Sequence, residues 1–242
     1  MDRKAPLGQG FINSNVLPPD EYEEAAHLHF LTILLPIYIH RFYDAMMILN
    51  HARRATDAAR SRLENKNIIE SERKTRSVIV EHYWYWPHLA GRDAAMTIYH
   101  FDIGLRSLLS SIHRCPTVKE MADYEMLKMA YPLFRKYFPD AVHLRNAVGH
   151  VAELVQTREH VSQNSVKGKG FAFEQVVGRT LYVTYKGKTI TLEISEITLQ
   201  KLNEVWTIVA HAMQKAIDAA EVKFQEKYPE AHALQQRLNQ SS

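Results

Sequence analysis

Imidazole, guanidinium and carboxamide groups converge in one short string, His143-Leu-Arg145-Asn146-Ala-Val-Gly149-His150. A histidine moves a proton near neutral pH, and an arginine holds two phosphate oxygens at once. Together these groups suit chemistry on a phosphodiester. Arginine followed by histidine carries little information alone. With 16 Arg and 13 His among 242 residues, about one such pair is expected by chance at any given spacing, and Arg76 with His82 and Arg106 with His113 are further examples. Asparagine directly after Arg145 narrows the pattern, because the chain holds only nine Asn.

On a continuous helix Asn146 and His150 are four apart and share a face. Arg145 lies about 140° around from His150, so only its long side chain reaches the same space. Gly149 leaves the backbone beside His150 uncovered, which lets another chain or a nucleic-acid backbone come close. The plainer reading is a helix in which Arg145 pairs with an acid such as Asp93 and His150 packs at a helix crossing.

The elements that must position these groups are mainly helical. From Asp20 to about Leu63 the pattern is helical, with Asp20 as N-cap, Glu21, Glu23 and Glu24 in the first turn, and Pro36 expected to kink or divide it. Residues 51–76 read as a solvated extension and a connection. The aromatic string His82-Tyr83-Trp84-Tyr85-Trp86-Pro87 reads as hydrophobic packing rather than a base-stacking surface. An amphipathic helix follows over 88–113. Thr117 with Glu120 has capping-box spacing for a helix reaching Tyr137, and Asp140 is set to cap another over 141–157. A polar loop over 158–170 leads to three alternating runs, 171–177, 180–186 and 189–194, joined by Gly178-Arg179 and Gly187-Lys188 as a hairpin meander. Ser195 caps a last helix to about Lys227. The expected layout is a loose arm over 1–19, a single helical domain over 20–230 with its β-insert at 171–194, and a polar tail over 231–242.

Composition bounds the function. Thirty Lys and Arg against 27 Asp and Glu give a net charge of +3, less basic than most nucleic-acid-binding modules, so any polyanion contact is local. Cys115 is the only cysteine, which excludes an internal disulfide and a Cys-based zinc site, and fits a reducing, cytoplasmic setting. The N-terminal residues have no apolar targeting core. The apolar run at 28–39, interrupted by Thr32 and Pro36, is shorter than the roughly 20 residues of a membrane span and reads as a core helix.

The Arg145-Asn146-x3-His150 motif, opening a helix within a bundle, resembles that of the HEPN superfamily. The stretch Gly91-Arg92-Asp93-Ala-Ala-Met-Thr-Ile-Tyr-His100-Phe101 is similar to the helix packed beside the motif in HEPN-like bacterial proteins. The resemblance implies a mainly α, HEPN-like helical bundle, to which the runs over 171–194 add a small antiparallel β-meander before the last helix. It further implies a homodimer and metal-independent endoribonuclease chemistry in the manner of toxin or defence proteins. His150 would assist attack of the RNA 2′-hydroxyl on the adjacent phosphate, Arg145 would clamp that phosphate, and Asn146 would position them. Arg92, Asp93 and His100 would form a supporting layer that orients Arg145 or His150. The subgroup paired with nucleotidyltransferase antitoxins carries Tyr two residues after the His. This chain has Ala152, so that regulation is not expected.

Other readings have less to stand on. His27 with His29, His82 with His88, and His143 with His150 lack metalloprotease spacing, and His150-x-x-Glu153 supplies only two groups, so no metal is expected. No Gly-rich phosphate loop, dinucleotide fingerprint or Ser/His/Asp arrangement is recognisable, so no cofactor is expected either. Cys115 reads as an incidental thiol. Asp93 and His100 can equally be an Arg-paired acid and a packed histidine. A catalytically silent HEPN-like module binding RNA, a nucleotide or a protein, and a purely structural homo-oligomer, are the alternatives to the nuclease.

Overall fold

Hydrophobic periodicity sets most of the elements. In the computed structural model, which describes residues 12–63, 69–168 and 170–230, the chain forms nine α-helices among those residues and one three-stranded sheet. Helix α1 (Tyr22–Leu63) buries Leu28, Leu31, Leu35, Ile39, Phe42, Met46 and Leu49. These recur every three or four residues, the stripe of a core helix. By length and hydropathy alone the stretch Pro19–Ser61 would also suffice to cross a membrane. Pro36 does not divide α1. The turn Pro19–Glu21 ahead of α1 is a 3₁₀ helix whose N-cap position is Pro18, so Asp20 lies inside it rather than capping α1.

The remaining helices are α2 (Glu70–Trp84), α3 (Trp86–Ser111), α4 (Pro116–Met121), α5 (Tyr124–Tyr137), α6 (Ala141–Gly149), α7 (Val151–Leu154), α8 (Arg158–Asn164) and α9 (Glu196–Lys227). The expected arm over 1–19 and tail over 231–242 fall largely outside the described residues. Within the described part of the arm, Ser14–Val16 forms a 3₁₀ turn capped by the Asn13 side chain.

The chain divides into two compact units. The first is built from Met1–Ile37, Asp102–Tyr137 and Lys201–Ser242, and the second from Tyr38–Phe101 and Phe138–Gln200. In the first unit, the helix expected over 117–137 is split into α4 and α5. Asp123 makes the new start, its carboxylate accepting the Met126 N–H at 3.0 Å. Thr117 does not cap α4. Its N–H and hydroxyl both donate to the buried Glu21 carboxylate, at 3.1 and 2.8 Å, so the cap comes from a residue far upstream.

In the second unit, strands β1 (Gln175–Val177), β2 (Thr180–Tyr185) and β3 (Lys188–Glu193) pair antiparallel in chain order. The meander and its first link, Gly178-Arg179, are as the sequence indicates, whereas the second link is Lys186-Gly187 instead of Gly187-Lys188, because Lys188 pairs with Tyr185 and opens β3. Lys186 and Gly187 both adopt positive φ (49° and 72°), the two-residue turn whose twist matches the strands. The first strand is shorter than 171–177 because Glu174 sits at φ 45° and ends the extended run. Residues 158–164 form α8 instead of a loop, with the Thr157 hydroxyl accepting the His160 N–H at 3.1 Å. Ser195 does cap α9, accepting the Thr198 N–H at 3.5 Å.

The aromatic string splits in two. Tyr83 and Trp86 meet edge to face at 4.9 Å, with His51 and His82 around them, whereas Trp84 and Tyr85 are exposed.

Candidate functional site

All of the motif lies in the second unit. Helix α6 packs on β2 and buries Ala141, Leu144, Ala147 and Val148, which turns Arg145 and Asn146 to the half-buried edge of that contact. The continuous helix expected over 141–157 is not formed. Gly149, a poor helix former, ends α6. His150 adopts φ −117° and ψ 29°, and a single further turn, α7, follows. His150 therefore stands at a break between two helices rather than within one. Its own N–H still reaches the Asn146 carbonyl at 3.3 Å, and its carbonyl accepts the N–H groups of Glu153 and Leu154 at 3.0 Å.

The break closes the angular gap that an ideal helix would leave. The Arg145 guanidinium donates through Nη1 to His150 Nε2 at 2.5 Å and to Asn146 Oδ1 at 3.0 Å. The Asn146 amide in turn donates to the Tyr185 hydroxyl at 3.4 Å, tying the motif to the end of β2. On the other side the Arg145 guanidinium lies 5.4 Å from the Tyr99 ring centre on α3, within cation–π range. A Cβ at position 149 would meet Arg145 Nε and Met96 Sδ, both at 3.9 Å, so the position has room for a methyl group.

The proton on His150 can be placed. An arginine donates and never accepts, so Nε2 is the accepting nitrogen and the neutral ring carries its hydrogen on Nδ1. That nitrogen faces Glu153 Oε1 at 3.0 Å. Glu153 is well exposed at 72%, and the His150 side chain at 35% is open to solvent on one side. The carbonyl of Glu153 accepts from His160 Nδ1 at 3.1 Å, which fastens the α7 turn to α8. His143 pairs with Asp140 at 3.3 Å, and its ring tilts against Tyr185 at 5.7 Å.

The three residues proposed behind the motif separate. His100 is close enough to feel Arg145. Burial, then the Arg41 and Arg145 charges, hold its imidazole below the ordinary range, with Asp93 opposing them. Asp93 faces Arg41, Asp44 and His100, and burial outweighs Arg41 to push its carboxyl up. Arg92 turns away and approaches Glu174 at 3.9 Å. Burial pushes the Glu174 carboxyl up as well, and the His88 Nδ1–H donates to the Glu174 carbonyl at 2.6 Å. Arg145 Nη1 thus bonds the motif's own amide and imidazole rather than Asp93.

Comparison of the chain with protein-family models, curated proteins and solved structures returned no match. The chemistry must therefore be read from the geometry.

From its spacing alone Glu153 reads only as half of a metal pair with His150. Among the described residues no group of three or more His, Cys, Asp or Glu is placed to hold a metal ion. The i,i+3 spacing to His150 was the available signal for the contact. Tyr185 carried no such signal, because its place beside Asn146 depends on the docking of β2 against α6.

Proposed function

We propose that the chain is a HEPN-type endoribonuclease working without a metal, with His150 as the acid/base, Arg145 as the phosphate clamp and Asn146 as the group that aims the clamp. The observation that carries this reading is the 2.5 Å contact between Arg145 Nη1 and His150 Nε2 at a solvent-open helix break. It supports the reading because a proton carrier and a bidentate phosphate donor occupy one small volume.

A phosphodiester entering there competes for the guanidinium and draws it off Nε2. The uncovered nitrogen takes the proton of the ribose 2′-hydroxyl as the O2′–phosphorus bond forms. The phosphorus–O5′ bond breaks, and the leaving oxygen takes up the proton that the His150 imidazolium returns, giving a 2′,3′-cyclic phosphate and a 5′-hydroxyl. The need for a 2′-hydroxyl selects RNA over DNA. A homodimer would bring two such motifs into one cleft, and a cytoplasmic role in defence or growth arrest would follow.

The test is cleavage of RNA by the wild type and by Arg145→Ala and His150→Ala, all in EDTA. Each substitution should lower the rate by about 10²-fold or more, and an all-deoxy strand should stay intact. Full cleavage by both variants would remove these residues from the chemistry.

A second reading, a silent module that binds RNA, a nucleotide or a protein, draws support from the same contact. Here Nη1 of the guanidinium is already engaged by Asn146 and His150. RNA binding without cleavage by the wild type would select it.

A further inference from the structure

We propose that Glu153 is the positioning residue of this site, holding the His150 ring in place and its hydrogen on Nδ1 while Nε2 does the work. The inference rests on His150 being the proton carrier and extends that reading to the residue behind it. Two groups grip the imidazole in the free protein, Arg145 at Nε2 and Glu153 at Nδ1. The guanidinium is the group that a phosphate would recruit. Once it moves, no other hydrogen bond among the described residues holds Nε2, and the Glu153 carboxylate at 3.0 Å is the remaining anchor.

The local fold supports that task. Glu153 sits on the one-turn helix α7, three residues after His150, so the turn itself sets their spacing. Its N–H is bonded to the His150 carbonyl at 3.0 Å, and its own carbonyl is held by His160 at 3.1 Å. The carboxylate is thus presented from a backbone pinned at both ends. A carboxylate at Nδ1 does two things: it keeps the accepting lone pair on Nε2, and it stabilises the imidazolium formed when Nε2 takes a proton. The charged and titratable groups around the ring are Arg145 from α6, Glu153 from α7 and, through Asn146, Tyr185 from β2.

The test reads the tautomer of neutral His150 by ¹⁵N NMR of the imidazole at about pH 9, above the ordinary histidine range near 6.5. It uses the full chain and requires no substrate. Arg145→Ala should keep the Nδ1–H form, because Glu153 alone suffices. Arg145→Ala with Glu153→Ala should lose it, and Arg145→Ala with Glu153→Gln should recover it, because a glutamine oxygen still accepts. Retention of the Nδ1–H form in the double alanine variant would overturn the proposal.

In RNA cleavage, Glu153→Ala in an otherwise wild-type chain should lower kcat about tenfold with KM unchanged, and Glu153→Gln should fall between the two. An undiminished kcat in Glu153→Ala would also overturn it. Should the tautomers behave as stated while the wild type cleaves no RNA, the nuclease reading fails and the hold of Glu153 on His150 stands. At 72% exposure Glu153 can be replaced without opening the core.

Discussion

Gly91 on α3 lies so close to Val176 on β1 that a Cβ at position 91 would stand 2.8 Å from the valine Cγ2 and 3.2 Å from Leu181 Cδ1. The sheet rests directly on helix backbone there. Gly91→Ala should destabilise the protein by about 1–3 kcal/mol through overpacking, despite the better helix propensity of alanine. Combining it with Val176→Ala should recover part of the loss. Urea midpoints of the wild type and the two variants check this, and an unchanged midpoint in Gly91→Ala would mean that the strands yield at no cost.

The Glu24 carboxyl is held down at about 2, against an ordinary 4.5, first by the hydrogen bond from Arg114 at 2.6 Å and then by the Ser111 hydroxyl. The folded value lies below the unfolded one. The contribution is therefore complete above about pH 4.5 and is lost as pH falls from there towards 2. Because the pair is water-screened, the loss should be about 1 kcal/mol. Thermal melts of the wild type and Glu24→Gln across that window should converge at the acid end, and parallel curves would refute the assignment.

Cys115 is fully buried, and burial first, then Glu21 and Glu24, pushes its thiol up to about 11. Thiolate is the reactive form, so the folded protein should resist iodoacetamide at pH 8 and react at the rate of unfolding. Rapid labelling under native conditions would show that the thiol is reachable.

The sequence makes some features of this molecule readable and hides others, and the difference follows the range of the interactions. Ser195 acts on its immediate neighbours and caps α9 where local chemistry puts it, and the second hairpin turn falls only one residue ahead of the expected Gly187-Lys188. The cap on Thr117 comes from Glu21, which no local window connects. Helix α8 was hidden because its residues are polar, and only the Thr157 hydroxyl marks its start. At the site, the residue types of Arg145, Asn146 and His150 were legible. Their geometry was not, because an ideal helix puts the guanidinium on the wrong side and the break after Gly149 corrects it. The support that Asn146 receives from Tyr185 depends on how β2 docks on α6, which composition does not encode.

The interleaving of the two units has a practical corollary. The unit bearing the motif is made of Tyr38–Phe101 and Phe138–Gln200, and Asp102–Tyr137 of its companion runs between them. No single scission frees either one whole. Every uninterrupted stretch of chain that contains the complete motif-bearing unit carries a third of the other with it. Isolating it would require splicing residue 101 to residue 138, an operation on topology rather than on length.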